Sequence, residues 1–294
     1  MTARVLPATL LIGGAVFLCA CGGGSGTSVP RGGAAAGFDA GRAYADLRAQ
    51  VAIGPRVSGT AGSIREVAWI TRRLRAAGLR RIEVQRPLRN VVATLPGSAP
   101  GTIVVGAHHD TRGGIPRFTG ANDGASGVAV LLELARSLPR PLPGPSVTLV
   151  FFDGEEARPG RPFEADGARG SRQFVRLSRD GRPGAPPLRS IRAMYLLDMV
   201  GDCDLAIPRE QLSDPELYAR LRGAAFGGEA PPVLDDQQPF LEAGVPAVDV
   251  IDFRYGPGPS PGAFWHTRRD DLSHVCASSL GQVGRAVAAA VAAG

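Results

Sequence analysis

The chain has 294 residues, 44% of them hydrophobic and 20% charged. This composition excludes wholesale disorder and accommodates one large α/β domain or two small ones. The formal net charge is +6 and all 33 basic residues are Arg. They are scattered, clustering only at Arg72–Arg73–Arg75 and Arg80–Arg81, where the spacing suits a solvated helix face and its exit. A nucleic-acid partner is therefore not expected.

The first residues read as a targeting segment rather than as part of the fold. Arg4 is a minimal positive start, and Val5 to Leu18 is apolar but too short and too interrupted by Gly and Pro for a comfortable membrane span. The stretch ends in "LCAC", which resembles a bacterial lipobox. That resemblance makes residues 1–20 a signal peptide and Cys21 the lipidated residue. Residues 21–37, rich in Gly, Ala and Ser, then form a tether, and residues 38–294 a single folded domain. The expectation is a lipid-anchored protein of the bacterial envelope, on the periplasmic side of the outer membrane where there is one. Cys203 and Cys276 remain in the mature chain. An oxidising compartment permits a bridge between them, but sequence leaves the pairing open.

Along the domain, Ala43 to Val51 reads as a helix. Gly54 to Gly62 is a loop. Ser63 is placed to cap an amphipathic helix with Val67, Ile70, Leu74 and Ala77 on one stripe, ending at Gly78. Strands are predicted at 81–85, 90–95 and 102–106, a helix at 127–138, and a strand at 147–152. A helix at 171–177, a strand at 193–197, a helix at 217–226, a strand at 247–251 and a last helix at 280–292 follow. Strands alternate with helices, and the central strands are continuous apolar runs. That pattern predicts a three-layer α/β sandwich around an open, twisted, mainly parallel sheet. Sites in such folds lie beyond the carboxyl ends of the strands.

Polar clusters sit where those strands end. "VVGAHHD" places His108 and Asp110, "FFDGEE" places Glu155 and Glu156, "YLLDMVGD" places Asp198 and Asp202, and "AFWHT" places His266. "GANDGASG" puts Asp123 in a glycine-bracketed loop, where it could hold a metal or simply cap a helix. Imidazole and carboxylate together are zinc ligands, and a cation removes the repulsion between packed carboxylates. The spacing of His108 and Asp110 fits a ligand and the carboxylate that orients it. His109 falls on the opposite face, and His274 reads as a surface residue.

With these residues in place, "GAHHDT", "GANDGASGVAVLLELA", "VTLVFFDGEEA", "LLDMVGD", "PFLEAGVPAV" and "WHTRRDD" resemble metallopeptidase family 28 across nearly all of the mature chain. That family contains zinc aminopeptidases and glutaminyl cyclases. The resemblance implies metal-site residues His108, Asp123, Glu156, Asp198 and His266, with Glu155 as the group that moves the proton. An aminopeptidase would hold two Zn²⁺ ions bridged by Asp123. A cyclase would hold one, on Asp123, Glu156 and His266. In the cyclase Asp198 and Asp235 would orient Glu155 and the substrate amide, and Trp265 would wall the pocket. Peptide or protein N-termini would be the substrates, and a monomer is expected.

The cyclase reading is preferred, although two features depart from it. The Trp that cyclases carry shortly after the Glu-Glu pair is replaced by a stretch containing Arg158, Pro159, Arg161 and Phe163. Asp249 stands where cyclases carry a His. A metal-free binding module is a third reading, but such members lose ligands and this chain keeps the full set.

Overall fold

Successive side chains of a strand point to opposite faces, and in this protein both faces are apolar. The computed structural model describes Met1, Thr2 and residues 37–294. Residues 3–36, which hold most of the expected signal peptide, Cys21 and nearly all of the expected tether, lie outside the described residues. The main strands are β1 (Ile82–Val84), β2 (Val91–Leu95), β3 (Gly97–His108), β4 (Leu142–Phe152) and β5 (Ile191–Asp198). They are followed by β6 (Ile207–Glu210), β7 (Phe226–Ala230) and β8 (Ala247–Ile251).

Six of these form one sheet in the order β1-β2-β4-β3-β5-β8, and β6 and β7 pair separately. The β4, β3, β5 and β8 strands are mutually parallel. The β2 strand runs antiparallel to both β1 and β4. The sheet is thus mainly parallel, as the apolar runs imply, with an antiparallel edge.

Helices cover both faces. On one side α1 (Ala40–Ile53), α2 (Ala61–Ala76), α3 (Ala125–Ser137) and the last helix, α8 (Ala277–Ala292), share a core with Val105, Leu149, Phe151 and Tyr195. On the other, α5 (Arg169–Arg179) and α7 (Gln238–Glu242) pack on Val104, Val150, Phe152 and Leu196 through Phe174 and Phe240. Short helices α4 (Phe163–Asp166) and α6 (Pro215–Tyr218) complete the set. Neighbouring residues Phe151 and Phe152 are fully buried on opposite sides of the sheet, each worth roughly 1.5–3 kcal/mol of transfer free energy. Among the described residues no helix is long and apolar enough to cross a membrane.

Three local expectations are corrected. Thr60, not Ser63, caps α2: its side chain accepts from the Ser63 N–H. Ser63 is already in the first turn and buried. No helix spans 217–226. Asp214 caps a single turn with Pro215 at its start, the chain breaks at Gly223, and Phe226 opens β7 against Ile207. The isolated Leu217 and Leu221 contacts mimicked a longer helical stripe. Asp123 does not cap α3, whose N-cap is Gly124 with no side-chain hydrogen bond. Cys203 and Cys276 form a disulfide with Cα atoms 4.8 Å apart, tying the loop after β5 to the start of α8.

Candidate metal centre and active site

The register pairs His108, the last residue of β3, with Phe152, the last of β4. This brings His108 level with the turn that carries Glu155 and Glu156. Asp198 is likewise the last residue of β5. Three adjacent parallel strands therefore deliver their polar ends to one place. Asp123 arrives from the loop before α3. Gly124 has φ +95°, and a Cβ there would lie 2.8 Å from the Asp110 carbonyl and 3.2 Å from the His108 ring. Only glycine lets the loop close down on His108. His266 comes from the loop after β8.

These side chains form two triads that share Asp123: His108–Asp123–Asp198 and Asp123–Glu156–His266. His108 Nε2 lies 3.3 Å from Asp123 Oδ1 and 3.2 Å from Asp198 Oδ1. His266 Nε2 lies 3.3 Å from Asp123 Oδ2 and 3.1 Å from Glu156 Oε1. Asp123 is 3% exposed, yet among the described residues its Oδ2 has no hydrogen-bond partner. A buried carboxylate oxygen left unpaired among imidazole nitrogens and other carboxylates is what a bound cation would satisfy. The donor set of His nitrogen and carboxylate oxygen fits zinc.

Asp110 does less for His108 and more for the turn than its spacing suggests. Its Oδ1 is 3.7 Å from His108 Nδ1, too long for a hydrogen bond. The same oxygen accepts from the backbone N–H groups of Gly154 (2.9 Å) and Glu155 (3.1 Å). It thereby fixes the turn on which the two glutamates sit. Asp153 points away from them and accepts from the Arg89 N–H. His109 is buried off the metal cluster, with Nε2 3.4 Å from the Arg89 carbonyl. His274 stacks on Phe264 at 3.9 Å, partly buried rather than a free surface group. Asp202 is outside both triads and accepts from the Asp204 N–H.

A cavity of about 280 Å³ opens over the second triad. Glu155, Asp198, Asp235, Phe163 and Trp265 line it. Trp265 stacks on the His266 ring at 3.7 Å and meets Phe253 edge-on at 5.5 Å. It both walls the cavity and props the His266 ring. Phe163 lines the stretch in which the expected Trp is missing. Asp249 is fully buried behind the site, and among the described residues neither of its oxygens is hydrogen-bonded.

The electrostatics follow from this crowding. Burial, reinforced by Glu156, Asp236 and Asp198 against the opposing His108, pushes Glu155 well above the usual carboxylate range. Burial and the charge of Asp198 do the same to Asp235 and Asp249. Burial opposes charging of the His266 ring, but Asp123 and Glu156 raise it to about 9. Burial likewise opposes a low pKa at Asp123, yet the adjoining His108 and His266 rings hold it below its ordinary value. The protein groups alone thus place a surplus of acids around two imidazoles, with Asp123 charged.

Several contributors have no local signature in the sequence. Asp270 accepts from the Asn122 N–H (2.7 Å), the Asp123 N–H (3.1 Å) and the Tyr255 hydroxyl (3.0 Å), holding the Asp123 loop from 147 residues away in the chain. Asp236 accepts from the Ser171 hydroxyl at 2.5 Å, and burial pushes it up to about 7. Arg112 donates to Glu156 (3.3 Å) and to the Ala157 carbonyl (2.7 Å). Arg56, fully buried, donates to the carbonyls of His109, Thr119 and Gly120.

A family model described as peptidase family M28 matches residues 90–291. The chain belongs to peptidase family M28. This M28 chain is 32% identical over 227 residues to a glutaminyl-peptide cyclotransferase of Bothrops jararaca, an alignment covering 63% of it and 60% of the relative. It spans about three fifths of the length of the curated relatives it matches. Among solved structures it is similar to a glutaminyl cyclase of an Acidobacteriales bacterium, with TM-score 0.76, 31% identity, and coverage of 92% of this chain and 98% of that one. It is also similar to a Zn-dependent exopeptidase from Parabacteroides distasonis, with TM-score 0.72, 25% identity, and coverage of 85% and 97%. The three-layer fold and the zinc-type donor set agree with membership of this family.

Proposed function

We propose that the chain is a glutaminyl-peptide cyclotransferase, converting an N-terminal Gln to pyroglutamate with release of ammonia. The observation that carries this reading is the grouping of Glu155, Asp198 and Asp235 in one aromatic-walled cavity beside the Asp123–Glu156–His266 triad. Similarity to cyclases over most of the chain supports it.

Asp123, Glu156 and His266 would hold one zinc ion. When bound, the ion supplies Lewis-acid polarisation of the substrate's side-chain amide carbonyl. Glu155 takes a proton from the α-amine as the amine nitrogen forms its bond to the amide carbon. It returns that proton to the amide nitrogen as the C–N bond breaks and ammonia leaves. Asp235 and Asp198 accept hydrogen bonds from the substrate amide and, once Glu155 carries the proton, from its carboxyl. Trp265, Phe163 and Phe253 enclose the five-membered ring being closed and exclude water that would hydrolyse the amide to Glu. In this scheme His108 does not bind metal; it bonds Asp198 at 3.2 Å and fixes its carboxylate.

A second reading rests on the completeness of the other triad. His108, Asp123 and Asp198 stand within ligand reach of one another, as a two-zinc aminopeptidase would require. Glu155 would then activate water for attack on the first peptide bond. Incubation with Gln-initiated peptides separates the two. Ammonia release with one zinc per chain supports cyclisation. Release of free N-terminal amino acids with two zincs per chain overturns it.

The envelope assignment is proposed on sequence alone. Cys21 carries lipid, and replacement Cys21→Ser moves the protein from the membrane to the soluble fraction. A monomer in solution completes the reading, with sedimentation as its check.

A further inference from the structure

A second concave site lies well away from the metal centre. Gly78, Leu79, Arg80, Arg81, Leu95 and Arg140 line most of a cavity of about 330 Å³. Its floor is apolar and its rim carries three guanidinium groups; among the described residues no carboxylate lines it. Arg80 and Arg81 are exposed. Among the described residues neither makes a salt bridge or a side-chain hydrogen bond. Arg140 is held in place, donating to the Ala77 carbonyl at 2.7 Å and to that of Ala135. Glu83, the nearest acid in sequence, is not among the residues that line the cavity; its Cβ lies 4.0 Å from where a Gly184 Cβ would stand. Leu95 on the cavity floor pairs with Val147. Five residues of β4, about 17 Å of strand, separate that level from Phe152 and the metal centre.

The chain enters the domain beside this cavity. Gly37 packs against Ser137 at the end of α3, where an added Cβ would stand 3.7 Å from the Ser137 side chain. Arg140 follows three residues on and bonds back to that helix. The segment leading to Cys21 therefore joins the domain on the basic side, while the active-site cavity opens at the other end of the sheet.

We propose that the Arg80–Arg81–Arg140 cavity is a docking surface for anionic phospholipid headgroups, which seats the domain on the membrane with its active site turned away from the bilayer. The setting rests on the envelope reading, but the surface does not depend on the catalytic one. The chemistry is complementary on two counts. Guanidinium forks bind phosphate oxygens in pairs. An apolar floor ringed by Arg matches the boundary between headgroup and acyl chain. A duplex nucleic acid would need a longer basic track than this single concavity offers.

The test uses the full chain carrying Cys21→Ser, so that no acyl anchor contributes. Binding to vesicles of phosphatidylcholine with about one third phosphatidylglycerol is compared with binding to phosphatidylcholine alone. The anionic vesicles should bind more tightly, and the pair Arg80→Ala/Arg81→Ala should weaken that binding roughly 10- to 30-fold at about 0.1 M salt. Arg220→Ala/Arg222→Ala, an equal change of net charge on exposed residues elsewhere, should leave it within about twofold of the parent, on the additive per-residue scale. Equal losses in both pairs, or none in the first, would overturn the proposal. So would displacement from the vesicles by free glycerol phosphate at constant ionic strength, which would assign the cavity to a soluble phosphate. Duplex DNA bound through the same arginines, with vesicles left unbound, would also overturn it. Turnover of Gln-peptides should be unchanged in Arg80→Ala/Arg81→Ala. Because vesicle binding is read without catalysis, failure of the cyclase reading leaves this test standing.

Discussion

Replacing Glu155 by Gln tests the division of labour inside the acidic pair. Glu155 is 7% exposed, and its turn is pinned by two backbone N–H bonds to Asp110 Oδ1. Gln has nearly the same shape, so the turn and the cavity should persist. Burial and three neighbouring acids raise the Glu155 pKa, which makes the carboxylate a willing proton acceptor; an amide cannot take that proton. General acid–base catalysis contributes about 10²- to 10⁴-fold, or roughly 3–5 kcal/mol of barrier. Turnover of a Gln-peptide, followed by ammonia release at saturating substrate, should fall by that factor. KM should change little, and zinc content, measured by atomic emission, should stay at the parent value because the triad Asp123–Glu156–His266 is untouched. Turnover within tenfold of the parent with zinc bound would refute the role. Loss of zinc in proportion to activity would make Glu155 a ligand instead.

Asp270→Ala removes the acceptor of two backbone N–H groups beneath Asp123. Zinc affinity should fall about 10- to 100-fold, read by competition with a chromophoric chelator. Glu66 is buried with both oxygens unpaired, and burial raises it to about 7 from 4.5 despite Arg56. A carboxyl with a raised folded pKa favours the folded state at low pH, and that advantage is lost as pH climbs from 4.5 to 7. Glu66→Gln should therefore stabilise the protein at pH 8, by up to about 3 kcal/mol, and have little effect at pH 4.5; thermal melts at the two pH values decide it. Opening the Cys203–Cys276 bridge, by Cys203→Ser or reduction, frees a loop spanning 73 residues. The chain-entropy model puts the cost at about 4 kcal/mol, visible as a lower Tm with reductant in the parent but not in the variant. Gly127→Ala would set a Cβ 2.1 Å from the Leu197 carbonyl. It should cost roughly 1–3 kcal/mol and, by shifting α3 and β5, impair metal binding; a parent-like Tm would refute this close packing.

Short-range order along the chain determined a good deal of this protein. Apolar runs such as 147–152 can be satisfied only by a sheet covered on both faces, so the three-layer architecture was legible. Because parallel strands end side by side, the polar residues at their carboxyl ends, His108, Glu155, Glu156 and Asp198, are legible as neighbours in the sequence. The glycines around Asp123 announced a tight loop, although not that Gly124 itself would make close contact with His108. The sequence overextends α6, because two leucines four residues apart carry the same local signal in one turn as in three. Other features were settled only by folding. Asp110 steadies the glutamate turn more than His108, and Asp270 reaches Asp123 from the far end of the chain. The cysteines meet, and arginines from two separate segments surround one cavity. Each depends on contacts between residues tens to more than a hundred positions apart. Periodicity records which face a residue occupies, whereas the partner it meets there is chosen by register and helix packing, which exist only in the folded chain.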